Sequence, residues 1–128
     1  LLAQGRQFRE RTGKPSLIQS LVGDPAGAAR TLYTYMLAQG APIFPSPRRI
    51  QLDTPEGRRV AELFRRITAE GIGTSNMDTP AAIAAFMNGE GGVYPTGTWM
   101  IGQFETEEKT AGRPLYQAYS VQPYPQLY

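Results

Sequence analysis

The chemistry open to this 128-residue chain is limited by the side chains that it lacks. It contains no Cys and no His, which excludes disulfides and thiol nucleophiles and removes the commonest general base and metal ligand. An enzyme built on this sequence would depend on carboxylates, Lys or Tyr. We therefore predict no metal site and no cofactor.

The candidate catalytic carboxylates cluster in one segment. Glu105, Glu107 and Glu108 could form a pair for glycoside hydrolysis. They fall at the polar end of a predicted helix, and a solvated helix face explains them better. The glycine-rich run at 89–92 lacks the Lys-Ser/Thr of a phosphate loop.

The basic residues do not predict nucleic-acid binding. Lys and Arg total 13 against 11 Asp and Glu, a net charge of +2 spread along the chain, which produces no strong field. Arg58, Arg59, Arg65 and Arg66 are interspersed with glutamates on one amphipathic helix. That pattern is typical of a solvated helix face.

The composition, with 41% hydrophobic and 19% charged residues, suits one soluble globular domain. No apolar run approaches the ~20 residues needed to cross a bilayer. The chain begins with Leu1 rather than Met, so we expect a processed start or a fragment.

Capping residues followed by proline predict most of the helices. We expect helices near 2–11, 26–39, 55–69, 80–88 and 98–108, and short strands at 16–20, 91–95 and 116–122. Strands separated by helices predict an α/β fold, with layered helices on a largely parallel short sheet.

The Asp24-Pro25 turn follows the first predicted strand. Open α/β sheets bind ligands at such strand ends. Asp24, Arg30 and Tyr33 are therefore candidate ligand contacts, although helix capping is the better-supported role for Asp24.

Several short motifs occur in a fixed order in the second half of the chain. Leu-Asp-Thr-Pro-Glu-Gly at 52–57 begins one helix, and Phe-Met-Asn-Gly-Glu at 86–90 ends an Ala-rich one. A predicted strand follows, and Gly-Thr-Trp at 97–99 begins the next helix. This order resembles the extracellular solute-binding proteins of sugar ABC transporters, the maltose-binding-protein-like family. The resemblance is clearest from Thr31 to Pro125.

The resemblance implies a partial periplasmic-binding-protein-like lobe. Residues 1–128 would form a single partial domain, the middle portion of the C-terminal lobe of a two-lobed binding protein. It implies a periplasmic or extracytoplasmic location, with or without a lipid anchor, and an ABC permease as partner. The implied function is non-catalytic sugar binding for import; the alternative is an α/β carbohydrate-active enzyme domain.

The resemblance also assigns a binding role to Trp99, the only Trp in the chain. In the family, this Trp stacks on a pyranose ring, and Gly97 would let the ligand approach the helix N-terminus. The residues alone also allow Trp99 to be a core residue, together with Met100 and Phe104. We expect Trp99 to be partly exposed on a concave surface. We also expect the chain to self-associate through a sheet edge or its Tyr-rich tail.

Overall fold

The computed structural model describes residues 1–40, 44, 46–111 (the backbone alone from 107 to 111) and 119–124. Within these residues the chain forms five helices: α1 (Leu2–Thr12), α2 (Pro25–Leu37), α3 (Pro55–Ala69), α4 (Thr79–Met87) and α5 (Met100–Ala111). Each begins and ends within three residues of the range predicted from the sequence, so the helix predictions are confirmed.

Local capping explains where the middle three helices begin. Asp24, Thr54 and Asp78 accept hydrogen bonds from the backbone N–H of Gly27, Gly57 and Ala81, respectively. Each of these helices also carries a proline in its first two positions, where the missing N–H costs nothing.

The predicted α/β fold with a parallel sheet is wrong. No strand or sheet forms in the part of the chain that the structure describes; the segment at 16–20 makes only isolated parallel bridges, from Leu17 to Gly73 and Val93 and from Ser20 to Met77. The predicted strand at 91–95 is reduced to its bridge at Val93. Residues 119–122 have no regular structure, and residues 116–118 lie outside the described residues.

Two side chains explain why these bridges do not extend into a ladder. On one side, the Leu17 N–H donates to Ile72 O (3.0 Å) and the Thr74 N–H to Leu17 O (3.0 Å). A parallel ladder would continue with a bond from the Gln19 N–H to the Thr74 carbonyl oxygen. The Gln19 N–H donates instead to the Thr74 hydroxyl, at 2.8 Å.

On the other side, the Val93 N–H donates to Ser16 O and the Ile18 N–H to Val93 O, both at 2.8 Å. In a parallel ladder the next donor would be the N–H of residue 95. Pro95 has none, so pairing stops at a single bridge.

The core is arranged on both sides of the extended segment at 16–20. Leu17 packs into a cluster formed with α2 and α3, whose other buried members are Tyr35, Met36, Val60, Leu63 and Ile67. Its neighbour Ile18 packs on the opposite side against Ala82 and Ala85 of α4. Successive residues of an extended chain point to opposite faces, so this one segment separates α2 and α3 from α4.

An ion-pair network attaches α1 to the end of α3. The Glu70 carboxylate accepts hydrogen bonds from Arg6 at 2.6 Å and from Arg66 at 3.0 Å. Arg9 donates to the Glu70 carbonyl oxygen. The network links helices that are about sixty residues apart in sequence.

Candidate functional site

A small concave site lies where the start of α5 meets α2 and the segment after Val93. Its volume is about 150 Å³, below the ~300–1,000 Å³ of typical ligand pockets, so it suits a single ring or small group. Most of its polar lining is hydroxyl: Ser20, Thr31, Thr34, Thr79, Tyr94, Thr96 and Tyr124. Arg30 and Trp99 also line it, and we call it the Arg30–Trp99 cavity.

Trp99 lies at the rim of this cavity with 62% of its surface exposed. Its neighbours Met100 and Phe104 are buried, at 4% and 5% exposure, because they occupy the inner face of α5. The interpretation of Trp99 as a core residue is therefore wrong. The indole is an apolar surface presented to solvent beside polar groups.

Arg30 is stacked on this indole. Its guanidinium carbon lies 5.3 Å from the centroid of the Trp99 ring, a cation–π distance. Arg30 projects from α2, and Trp99 precedes the first residue of α5, so the contact joins two elements that are distant in sequence.

Gly97 is required by the position of the Trp99 ring. A Cβ built on Gly97 would overlap the six-membered ring of Trp99. Any larger residue would force the indole to move. The Gly-x-Trp spacing thus has a steric role here: it lets the ring fold back over the chain at the cavity rim.

Two tyrosines line the cavity, Tyr94 partly buried and Tyr124 39% exposed. Burial raises the pKa of Tyr94, against smaller opposite effects of Ser20, Thr96 and Arg30. Burial, and then the neighbouring Tyr35, hold the pKa of Tyr124 far above its ordinary value. Both phenols are therefore neutral near pH 7 and can donate and accept hydrogen bonds.

The start of three helices reaches the cavity. Gly27 lies in the first turn of α2, Thr79 is the first residue of α4, and Met100 is the first residue of α5; all three line the cavity. Helix N-termini carry partial positive charge, and the carboxylates of Asp24 and Asp78 counter it at α2 and α4. The start of α5, whose first turn contains no acidic residue, is therefore the part of the cavity that favours electron-rich ligand atoms.

Comparisons of the chain with protein-family models, with curated proteins and with solved structures found no match.

The structure places three of the five residues predicted to bind ligand at the cavity and the other two outside it. Trp99, Gly97 and Arg30 line the cavity. Asp24 caps α2 through its carboxylate, 2.9 Å from the Gly27 N–H. Tyr33 is exposed on α2 and packs against Phe44, with ring centroids 6.2 Å apart, and neither it nor Asp24 lines the cavity.

Sequence reasoning missed several residues that line the site. Thr31 and Thr34 follow Gly27 and Arg30 at helical spacing, so periodicity could have placed them on the same face. Tyr124 had no such signal. It reaches the cavity through an edge-on contact with Tyr35, with centroids 5.5 Å apart, which no local pattern indicates.

No group of three metal-ligating side chains occurs among the described residues. None of the helices in the described part of the chain is long and apolar enough to span a bilayer.

Proposed function

We propose that the chain binds a carbohydrate, without chemical conversion, at the Arg30–Trp99 cavity. The observation that carries the proposal is the exposed Trp99 ring, 62% accessible, at the rim of a cavity rich in neutral hydroxyls. A sugar presents an apolar C–H face and a ring of hydroxyls. An indole face beside Ser, Thr and Tyr hydroxyls complements both.

The wider role we propose is capture of the sugar for import by an ABC permease in an extracytoplasmic compartment. Its support is the order of the motifs at 52–57, 86–90 and 97–99. The fold adds no support, because the sheet expected of such a lobe is absent from the described residues.

The residues that line the Arg30–Trp99 cavity also bear on the alternative function, that of a carbohydrate-active enzyme. Glycoside hydrolysis needs two carboxyl groups facing each other across the bond, and none of the described residues that line the cavity is Asp or Glu. Glu105 is exposed on α5. The cavity thus offers groups that bind, which favours the binding function.

The test is a titration of the isotopically labelled chain with a panel of mono- and disaccharides, followed through the NMR signal of the single indole N–H. We expect saturable shifts of Trp99 and of the hydroxyl-bearing residues around it. A small open cavity predicts weak binding, with Kd in the millimolar range, about 4 kcal/mol.

Two results would count against the proposal. The absence of any shift at Trp99 with every saccharide tested would refute binding at this cavity. Release of cleaved or transferred sugar during incubation would favour the enzyme instead.

A further inference from the structure

Arg30 is the only charged residue that lines the Arg30–Trp99 cavity among the described residues. In the same part of the chain, none of the ion pairs involves it; these use Arg6, Arg58, Arg65 and Arg66. A guanidinium has five N–H donors and no acceptor. The Trp99 face attracts the charge but supplies no oxygen atom to those donors.

The starts of three helices contribute to the electrostatic surroundings of Arg30. The first turns of α2, α4 and α5 contribute Gly27, Thr79 and Met100 to the lining, and each N-terminus adds partial positive charge. At α2 and α4 the carboxylates of Asp24 and Asp78, which accept backbone hydrogen bonds there, outweigh that partial charge, so only the start of α5 adds positive potential. The first turn of α5 contains no acidic residue.

We propose, building on the carbohydrate-binding function above, that the ligand is an acidic saccharide whose carboxylate binds Arg30 beside the Trp99 ring. A planar carboxylate matches the guanidinium fork and forms two parallel hydrogen bonds. The sugar ring then contacts the exposed part of the indole, and its hydroxyls face the Thr and Tyr hydroxyls. A neutral sugar makes the same ring contacts but leaves the Arg30 donors without an anion.

The experiment compares two matched pairs of disaccharides by NMR titration and calorimetry. The pairs are digalacturonate with galactobiose and cellobiuronate with cellobiose. We expect at least one acidic member to bind about tenfold or more tighter than its neutral partner, since hydrogen bonds between charged groups are the strong ones. Added NaCl should weaken the acidic member alone.

Substitutions test whether Arg30 causes the preference for the acidic sugar. Arg30→Gln should abolish the preference for the acidic sugar, so that the acidic and neutral members of each pair bind with similar affinity. Arg30→Lys should keep part of it, because the charge remains without the fork. Arg11→Gln removes the same charge from exposed α1 and should change nothing, and circular dichroism verifies that all variants are folded.

The outcomes separate this proposal from the binding function. Equal affinity within both pairs, or an acidic preference that survives Arg30→Gln, would overturn the carboxylate assignment and leave carbohydrate binding intact. Tighter binding of galactose 1-phosphate than of either uronate would overturn it in favour of a phosphate. If no disaccharide shifts Trp99, both proposals fail.

Discussion

Three residues from two segments carry the candidate site. Arg30 comes from α2, Trp99 precedes α5, and Gly97 leaves the space that the indole occupies. Their arrangement exposes an aromatic face that would ordinarily be buried. Exposure of a large apolar ring costs solvation free energy, which a ligand that covers the ring would recover.

Replacing the ring tests its contribution directly. We expect Trp99→Ala to weaken saccharide binding at least tenfold, about 1.4 kcal/mol, because the stacking surface is lost. Calorimetry measures this without the indole signal. Phe44→Ala is the control, since Phe44 is also exposed, at 55%, but lies outside the cavity. Equal affinities of the Trp99→Ala variant and the wild type would show that the ligand does not use the ring.

The steric role of Gly97 gives a second prediction. Gly97→Ala should displace the indole, change the emission of this single Trp and lower saccharide affinity, because the added methyl overlaps the ring. Fluorescence and titration measure both effects.

Gly102→Ala is the matched control for that substitution. Its Cβ would meet open space within α5, so it should leave the emission unchanged and stabilise the chain by about 0.5–1 kcal/mol. The same emission spectrum in Gly97→Ala and wild type would contradict the steric explanation.

At the scale of elements, the beginnings of helices are encoded locally. α2 begins with Asp24 followed by Pro25, and its cap bond spans only three residues. The positions of the parallel bridges at 16–20, in contrast, depend on contacts between segments more than fifty residues apart. This difference explains why the helices were predicted correctly and the strands were not.

The capping role of Asp24 can be separated from a ligand role. Asp24→Ala should destabilise the chain by about 1 kcal/mol, whereas Asp24→Asn should retain stability because Asn caps equally well. Chemical denaturation measures the difference. If Asp24→Asn kept stability but lost saccharide affinity, Asp24 would be a ligand contact after all.

At the scale of the whole molecule, one carboxylate ties the first helix to the third. Hydrogen bonds from Arg6, and then Arg66, hold the pKa of Glu70 below its ordinary value. A carboxyl whose pKa is lowered by folding stabilises the folded state above its unfolded pKa. That contribution is lost as the pH falls through the folded pKa.

We therefore expect acidification below about pH 4.5 to lower the Tm of the wild type more steeply than that of Glu70→Gln. Thermal melts at a series of pH values measure this. Glu90→Gln, at an exposed position after α4, should follow the wild-type profile. Parallel profiles for wild type and Glu70→Gln would show that the network does not stabilise the fold.

Exposed apolar side chains favour self-association of the whole molecule. Leu37, Ile50 and Leu52 expose 44%, 65% and 45% of their surface, and such surface tends to be covered by association. We expect dimers or larger species at tens of micromolar, measured by light scattering after size exclusion. The predicted contact through a sheet edge is wrong, because the described residues contain no sheet, and most of the tail at 116–128 lies outside them.

Substitution tests that expectation. Leu37→Gln with Ile50→Gln should shift the population towards monomer, whereas Ala3→Gln on exposed α1 should not. A monodisperse wild-type monomer at the same concentration would disprove self-association.

The sequence by itself determined the five helices, because caps and prolines act over three or four residues, and its resemblance to the solute-binding family supplied the candidate role of Trp99. It also placed Arg30 among the candidate contacts, through the turn at Asp24. Only the tertiary structure decided that no sheet forms in the described residues. The Thr74 hydroxyl, which takes the Gln19 N–H, and Pro95, two residues after the bridge at Val93, belong to segments far in sequence from the segment at 16–20. The cavity was decided in the same way, since hydroxyls from Ser20 to Tyr124 converge there only after the helices have packed.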